Sequence, residues 1–592
     1  MLRATFAGFS TALSAMQANQ KRLDITGQNL ANMNTVGYTR QRLDASSLNY
    51  TNPVSKYMCA NDLTVGFGVS MDRISQVRDP YLDAQYRTQM AKSSYRDGIQ
   101  VALDSLADVL DESTINGITK AFNDIQSTLA SMQDGPKGID AVFESELRSR
   151  MQALTNLMNE AAGHIAKAEQ SEYTRLDGEG HSENGAMQEV NDLLRQIGDL
   201  NVQIKRNQIL GQPSLELMDE RNQLLDTLSS FVPIEVSYFK DSDHCVQADG
   251  TDPLEEHDQN GRVIGRKEWP DDLKVEMLYT KADGTTGRFT LVNGSEGGLG
   301  NNYGQMTVNG VITRDQDGKI TDDKTGDLFT DADSYGDNSD SITVTFEFPN
   351  KKSTDTSHTA TPVTIAADQG ANHFSNGSVQ ASLDMLEKTG IEGNGANGIR
   401  GYEYYNNRLD DLSKAFATMM NALNNQGNGG GTGFEILSDR AGNVTNITAA
   451  NISIDPDWVS GKIHIGTSGD NTSDTIVNML EAMKKTFPDM ANPSNLPNTG
   501  IDLGNKTFAN YMNHVSTILA NDSLNNTTAL KTNVTVLNGI QDSRDSVSGV
   551  SLDEEASSMM TYLSAYNAAA RLMTTLDEAL NTLINNTGLV GR

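Results

Sequence analysis

The sequence predicts an α+β multidomain fold, with a terminal α-helical coiled-coil domain drawn from both chain ends, a helical rod domain and β-rich outer insertions. Three observations predict it. From Ser551 to Leu583, Leu552, Met559, Tyr566, Met573 and Leu580 fall seven residues apart, and Tyr562, Ala569, Leu576 and Leu583 follow three residues after the last four. A matching stripe of Phe6, Phe9, Leu13, Met16, Leu23 and Leu30 opens the chain. Between the helical blocks, from Ile234 to about Ala371, helical periodicity vanishes, and Gly, Asp, Asn and Thr cluster between short β-prone runs.

The first helix is expected over Thr5 to Ala31. It should stop in Asn32 to Gly37, where turn formers precede a glycine able to take positive φ. Tyr38 to Ser70 reads as a polar connector. Arg78-Asp79-Pro80-Tyr81-Leu82 then opens a helical region whose core-facing stripe is Tyr95, Ile99, Leu103, Leu106 and Leu110. A break is expected at Asp134-Gly135-Pro136, and further helices over Val190 to Ile204 and Leu217 to Leu225. In the β-rich stretch, Asp283-Gly284, Asn293-Gly294, Asn309-Gly310 and Asp317-Gly318 recur at hairpin spacing.

Helical pattern returns at Gly377 to Leu383 and at Tyr402 to Leu423, followed by a Gly-rich loop and a second β-rich stretch to about Ile465. A returning helix from Thr507 should run to about Ile540. The last helix should span Leu552 to Leu583, with Ser551 as N-cap and Glu554 completing a capping box. The expected domains are 1–60 plus 541–592 (terminal assembly domain), 71–233 plus 373–426 plus 500–540 (helical rod domain), 234–372 (β-rich outer insertion) and 427–499 (a second, small β-containing insertion).

Two paired helices leave part of each apolar stripe wet. Ordering them costs about 1–2 kcal/mol per residue, while burying a large side chain returns only about 1.5–3 kcal/mol. The terminal stripes are therefore expected to be covered by neighbouring subunits, and residues 1 to about 60 and 540 to 592 to order only in the assembly.

A net charge of −32 argues against nucleic acid or an anionic membrane as partner, and its plain meaning is solubility. Hydrophobic residues at 37% and aromatics at 6% are sparse for a large enzyme. The two cysteines, Cys59 and Cys245, do not make a disulfide scaffold. The first residues lack a long apolar core and no 18-residue apolar run occurs, so neither a cleaved signal peptide nor a membrane span is indicated.

Tests for chemistry return no catalytic, metal or cofactor site. Gly427 to Gly433 lacks the Gly-Lys-Ser/Thr ending of a phosphate loop and follows a helix. Asp315, Asp317 and Gly318 fit a calcium loop only in part, as do Asp331, Asp333 and Gly336. The eight histidines form no His-Glu-x-x-His and no Gly-x-Ser-x-Gly elbow appears. A non-enzymatic protein is expected.

Ser548 to Ile584 resembles the C-terminal signature of the flagellar hook-associated, hook–filament junction proteins, and Ala12 to Leu43 resembles their opening motif. Rod and hook proteins share the Asn-x-x-Asn-x-x-x-x-Gly-Tyr core, here Asn29, Asn32, Gly37 and Tyr38. Thr39-Arg40-Gln41-Arg42 and Asp553-Glu554-Glu555 resemble the junction proteins more than the hook protein. One departure stands out, since the Asp usual after Arg221 in this family is Asn222 here.

The resemblance implies a coaxial inner tube of terminal helices, self-assembly into a ring, hook protein proximally, and a second junction protein and the filament distally. It also implies an extracellular position on the bacterial flagellum, type III export, and an export chaperone on the C-terminal helix. Two alternatives stand beside it: a surface adhesin whose β-rich insertion is the binding module, and a hook-type axial protein.

Overall fold

The computed structural model describes residues 2–47, 68–110, 112–133, 141–178, 185–241, 254–257, 262–266, 269–294, 303–310, 313–314, 320–321, 342–348, 361–367, 370–387, 399–466, 472–487 and 501–586. Cys59, Cys245, the predicted break at 134–136 and both partial calcium loops lie outside them.

Helix α1 (Leu2–Ala31) turns into an antiparallel ribbon of β1 (Gln41–Ser47) and β2 (Val69–Gln76), in register Gln41 opposite Gln76, with an irregularity at Asp44/Ala45. The ribbon's strands stand at both ends of the stretch that reads as a polar connector. Much of both strands is solvated, so neither carries the alternating apolar pattern by which a half-buried strand is read.

Helix α2 (Pro80–Val109) starts where the Arg-Asp-Pro-Tyr-Leu string places it. Asp79 caps it by accepting from the Tyr81 amide at 2.9 Å, and Pro80 occupies the first turn, where its missing N–H costs nothing. Helices α3 (Glu112–Gln133), α4 (Ala141–Asp177), α5 (Ala186–Ile209) and α6 (Leu215–Phe231) follow. The predicted stripe residues Ile99, Leu103, Leu106, Leu110, Val190, Leu194, Ile197 and Ile204 are buried.

The β-rich region contains β3 (Ile234–Lys240), β4 (Glu255–His257), β5 (Val263–Arg266), β6 (Asp271–Thr280), β7 (Thr286–Asn293), β8 (Gln305–Asn309), β9 (Thr313–Arg314), β10 (Ile320–Thr321), β11 (Thr343–Glu347) and β12 (Val363–Ile365). The larger sheets are antiparallel, in the orders β3-β6-β7 and β12-β11-β8. Asp283-Gly284 is a hairpin turn with Gly284 at φ +80. Asn293-Gly294 is not. There β7 ends against Asp272, and a Cβ on Gly294 would fall 1.6 Å from the Asp272 Oδ1.

The insertion rests on α5. Asn191 bonds both backbone groups of Met306, Asn201 donates to the Asp272 Oδ1 at 2.5 Å, and the buried Lys205 pairs with Asp241 at 2.7 Å and with Asp272. Leu273, Val275, Met277, Leu291, Val344 and Phe346 are continuous with the helical core, so burial as well as polar contact fixes the insertion's place.

Helices α7 (Ser378–Glu387) and α8 (Tyr402–Gly427) return to the body. The second insertion is less β-rich than expected. Its described strands are β13 (Leu437–Asp439) and β14 (Ile452–Ile454), followed by the short α9 (Pro456–Val459) and by α10 (Thr472–Lys484). Helix α11 (Phe508–Ser548) passes Ile540, where the sequence expects an end, because nothing in Asn538-Gly539-Ile540 stops it. It ends instead where Gly549 turns extended (φ −71, ψ 158). Phe508 at its start packs on Phe122 of α3 (6.0 Å) and Phe416 of α8 (5.7 Å), which fixes the long helix on the body. Helix α12 (Leu552–Asn586) closes the chain.

Candidate assembly site at the joined chain ends

Helices α1 and α12 pack antiparallel. A Cβ on Gly8 would lie 3.4 Å from the Leu576 Cδ1, and the Arg22 guanidinium stands 5.6 Å over the Tyr562 ring. Partner numbers thus rise on one helix as they fall on the other.

The predicted heptad residues sort by this register. Ala569 is buried, and Met559, Tyr562, Tyr566, Met573, Leu576 and Leu580 are half-buried. Leu552 and Leu583 are exposed, because in this register they lie opposite positions just past either end of α1. On α1 the most buried apolar residues are Ala12, Ala18 and Ile25, which the sequence stripe does not include, while Phe9, Met16, Leu23 and Leu30 are half-buried. The small Gly8 on the contact line lets the two helices approach closely there. Leu13 points to solvent, and the Phe6 side chain lies outside the described residues.

The heptad seam is therefore largely used within one chain. A second apolar set outside the heptad stripe remains in water, including Met560, which the methionine pattern of the sequence assigns to the core: Met560 (67% exposed), Leu563 (50%), Leu572 (47%) and Ile584 (65%).

Below the helix pair, the Asn-x-x-Asn-x-x-x-x-Gly-Tyr motif is a clasp. The Asn29 side chain, 1% exposed, donates to the Gln41 carbonyl at 3.0 Å and accepts from the Gln41 amide at 3.0 Å and the Tyr38 hydroxyl at 2.9 Å. Burial, followed by Glu216, Asp219 and Glu555, raises the Tyr38 phenol, so it stays a donor. Asn32 Nδ2 donates to the Gln28 carbonyl at 3.0 Å and its Oδ1 accepts from the Thr35 hydroxyl at 3.3 Å, ending the helix in a turn. Gly37 sits at φ +77, and a Cβ there would strike the Gln223 Nε2, which donates to the Val36 carbonyl at 2.5 Å.

The following residues tie both chain ends to the body. Thr39 donates its hydroxyl (2.6 Å) and amide (3.1 Å) to the Asp219 carboxylate on α6. Burial pushes that carboxyl up, against the opposing pull of Thr39 and Arg78. Arg40 donates Nε to Glu555 at 2.8 Å and Nη1 to Glu554 at 2.9 Å, and its amide donates to the Ser548 carbonyl at 2.9 Å. Glu554, expected to complete a capping box, thus bonds across to the other chain end. Arg544 of α11 pairs with Asp83 (2.9 Å) and Asp226 (2.7 Å). A cleft of about 1030 Å³ opens at this joint, lined among others by Met33, Val36, Gln223, Asp226, Arg544 and Asp545.

Sequence reasoning missed Asp219, Asp226 and Arg544, and it quoted Arg40 and Glu555 without pairing them. For Arg40 and Glu555 the available signal was their place inside the two terminal motifs, while Asp219, Asp226 and Arg544 lie outside both. Among the described residues no group of His, Cys, Asp and Glu is placed to hold a metal ion, and no helix is long and apolar enough to cross a membrane.

Comparison with known proteins follows the same geography. Profiles described as "Flagella basal body rod protein", "Flagellar hook-associated protein FlgK helical domain" and "Flagellar basal body rod FlgEFG protein C-terminal" match residues 9–39, 103–313 and 542–586. Flagellar hook-associated protein 1 of Bacillus subtilis is 26% identical over 606 residues, covering 100% of both chains. Along its whole length the chain is similar to flagellar hook-associated protein 1. The Salmonella typhimurium member is 23% identical over 97% of this chain and 98% of its own, and the Escherichia coli member 24% identical over 38% and 39%. A solved structure of the flagellar hook junction protein FlgK from Burkholderia pseudomallei is 15% identical, with a TM-score of 0.34 over 61% of this chain and 45% of that one. Like the family, the chain is a structural component of the bacterial flagellum. Family profiles at both ends bracket the clasp, which gives the shared motif its physical task here.

Proposed function

We propose that the chain is a junction subunit that joins hook to filament by subunit packing and works without catalysis. The carrying observation is the terminal helix pair, whose seam is largely satisfied within the chain while Met560, Leu563, Leu572 and Ile584 face solvent. Burying each such side chain is worth about 1.5–3 kcal/mol, so covering them favours association. Neighbouring copies would cover these side chains, which flank the seam, in a ring around an inner tube, with hook protein on the proximal side and a second junction protein and filament on the distal side. Before assembly the same exposed apolar side chains suit an export chaperone on α12.

The test is incubation of the purified chain with isolated hooks, imaged by electron microscopy. A short, self-limiting ring at the distal hook end is expected. Open-ended tubes of the chain alone, or bare hooks, would refute the junction role.

A further inference from the structure

Lys205 of α5 is buried in the joint with the β-rich insertion, with 2% of the residue exposed. Its Nζ donates to the Asp241 Oδ2 at 2.7 Å, just past the end of β3, and to the Gly294 carbonyl at 3.1 Å, just past β7. It also pairs with the Asp272 Oδ2 on β6. Asp241 is 2% exposed and Asp272 0%, and the apolar Ile204, Leu273 and Val275 beside them are dry. The two oxygens of Asp272 are treated differently. Oδ1 accepts from Asn201 Nδ2 at 2.5 Å and from the Leu273 amide at 2.8 Å, as the oxygen of a polarised carbonyl does. Oδ2 stands against Lys205 Nζ and makes no hydrogen bond among the described residues. As an ion pair the arrangement is costly, because one ammonium is buried between two carboxylates. As a reaction site it holds an amine, a polarised carboxyl, a second carboxyl to move protons, and no bulk water.

We propose that Lys205 and Asp272 condense to an isopeptide bond that fastens α5 to the β-rich insertion, with Asp241 as the proton carrier. Burial pulls the Lys205 ammonium down, but its bonds to Asp241 and Asp272 raise it overall, so the pair starts as ammonium and carboxylate. Asp241 carries one proton from Nζ to the Asp272 Oδ2. The freed Nζ lone pair attacks the Asp272 Cγ, and the charge that develops on Oδ1 falls to the Asn201 and Leu273 donors. Asp241 then moves a second proton from nitrogen to Oδ2, the Cγ–Oδ2 bond breaks, and water leaves. Of the three protons on Nζ one stays and two depart with Oδ2, and nothing is oxidised or reduced. Effective concentrations of about 10⁵–10⁸ M for well-oriented groups offset the preference of bulk water for hydrolysis. The product removes two buried charges, and its remaining N–H donates to Asp241.

The test is the intact mass of the purified full chain, denatured after folding, followed by tryptic mapping. The chain should be lighter than its sequence by one water, and the map should hold a branched peptide joining Lys205 to Asp272. Lys205→Arg keeps the cation but removes the amine, and Asp241→Asn removes the proton carrier. Both should return to full sequence mass, with circular dichroism as the check on folding. A folded wild-type chain at full mass would make the contact an ion pair only and overturn the proposal. So would a loss of water that persists in Lys205→Arg, because it would arise from ring closure at an Asp-Gly bond elsewhere. The branched peptide is read on the wild-type chain alone, so its presence or absence decides even where a variant does not fold.

Discussion

The Asn29 carboxamide and the Gln41 backbone form a reciprocal pair, donor to acceptor at 3.0 Å in each direction, as two paired strands would. Asn29→Ala leaves the amide and carbonyl of Gln41 and the Tyr38 hydroxyl without this partner. The cost is about 1–3 kcal/mol for each buried group left unsatisfied. Amide exchange over residues 38–47 should accelerate by more than tenfold, with the body's main thermal transition unmoved. This sharpens the expectation that the ends order only on assembly: residues 29–41 should be protected in the free chain, and the apical turns of α1 and α12 should not.

Seam and outer face should separate by mutation. Met573→Asp places a charge in the half-buried seam and should reduce both helicity of the free chain and hook binding. Met560→Asp, on the exposed face, should leave the circular dichroism of the free chain unchanged and abolish ring formation on hooks. Unimpaired rings from Met560→Asp would remove that face from the assembly surface.

Arg221 is buried, its Nε lacks a hydrogen-bond partner, and its Nη1 donates to the Asn201 Oδ1 at 2.6 Å. Burial lowers its pKa, so the cation is under-compensated. Next to it Asn222 accepts from the Tyr238 hydroxyl at 2.9 Å and from Arg87 at 3.5 Å. Asn222→Asp, which restores the residue usual in the family, should raise stability by about 1 kcal/mol, the difference between neutral and charge-assisted hydrogen bonds. Denaturant midpoints at constant slope provide the check.

Burial, then the neighbouring Glu387 and Glu169, pushes the Glu403 carboxyl up to about 7. A raised carboxylate binds its proton in the folded state where the unfolded chain has released it. Its stabilising contribution is therefore full below the usual glutamate range and is lost as pH rises through about 7. Glu403→Gln should raise the unfolding free energy relative to wild type at pH ~8, by on the order of 1–2 kcal/mol for a partly hydrated group, and change it little at pH ~5. A pH-independent difference between the two proteins would contradict this.

Legibility in the sequence followed the physics of burial. Helices with one dry face announced themselves, as at Ile99 to Leu110 or Val190 to Ile204, because periodic burial demands periodic residues. The exposed ribbon β1–β2 has no such demand and reads as a connector. Within the terminal pair, the seven-residue spacing located the seam on α12. On α1 the large residues drew attention away from Ala12, Ala18 and Ile25, which are more deeply buried than the stripe. The clasp was visible only as a motif. Nothing local pairs Arg40 with Glu555, because the fold of everything between them supplies the proximity.

That proximity has an entropic side. Bringing together the ends of a flexible segment of roughly 500 residues costs about 5–6 kcal/mol, from the logarithm of its length. Here the Arg40 amide lies 2.9 Å from the Ser548 carbonyl once the body has folded. From the standpoint of α1 and α12, the whole body then acts as a tight turn of negligible length, and their pairing becomes nearly as local as that of a helical hairpin. The closure is charged to the folding of the body, whose large core can bear it, and the terminal seam, built from small residues and half-buried methionines, is left with only its own packing to achieve.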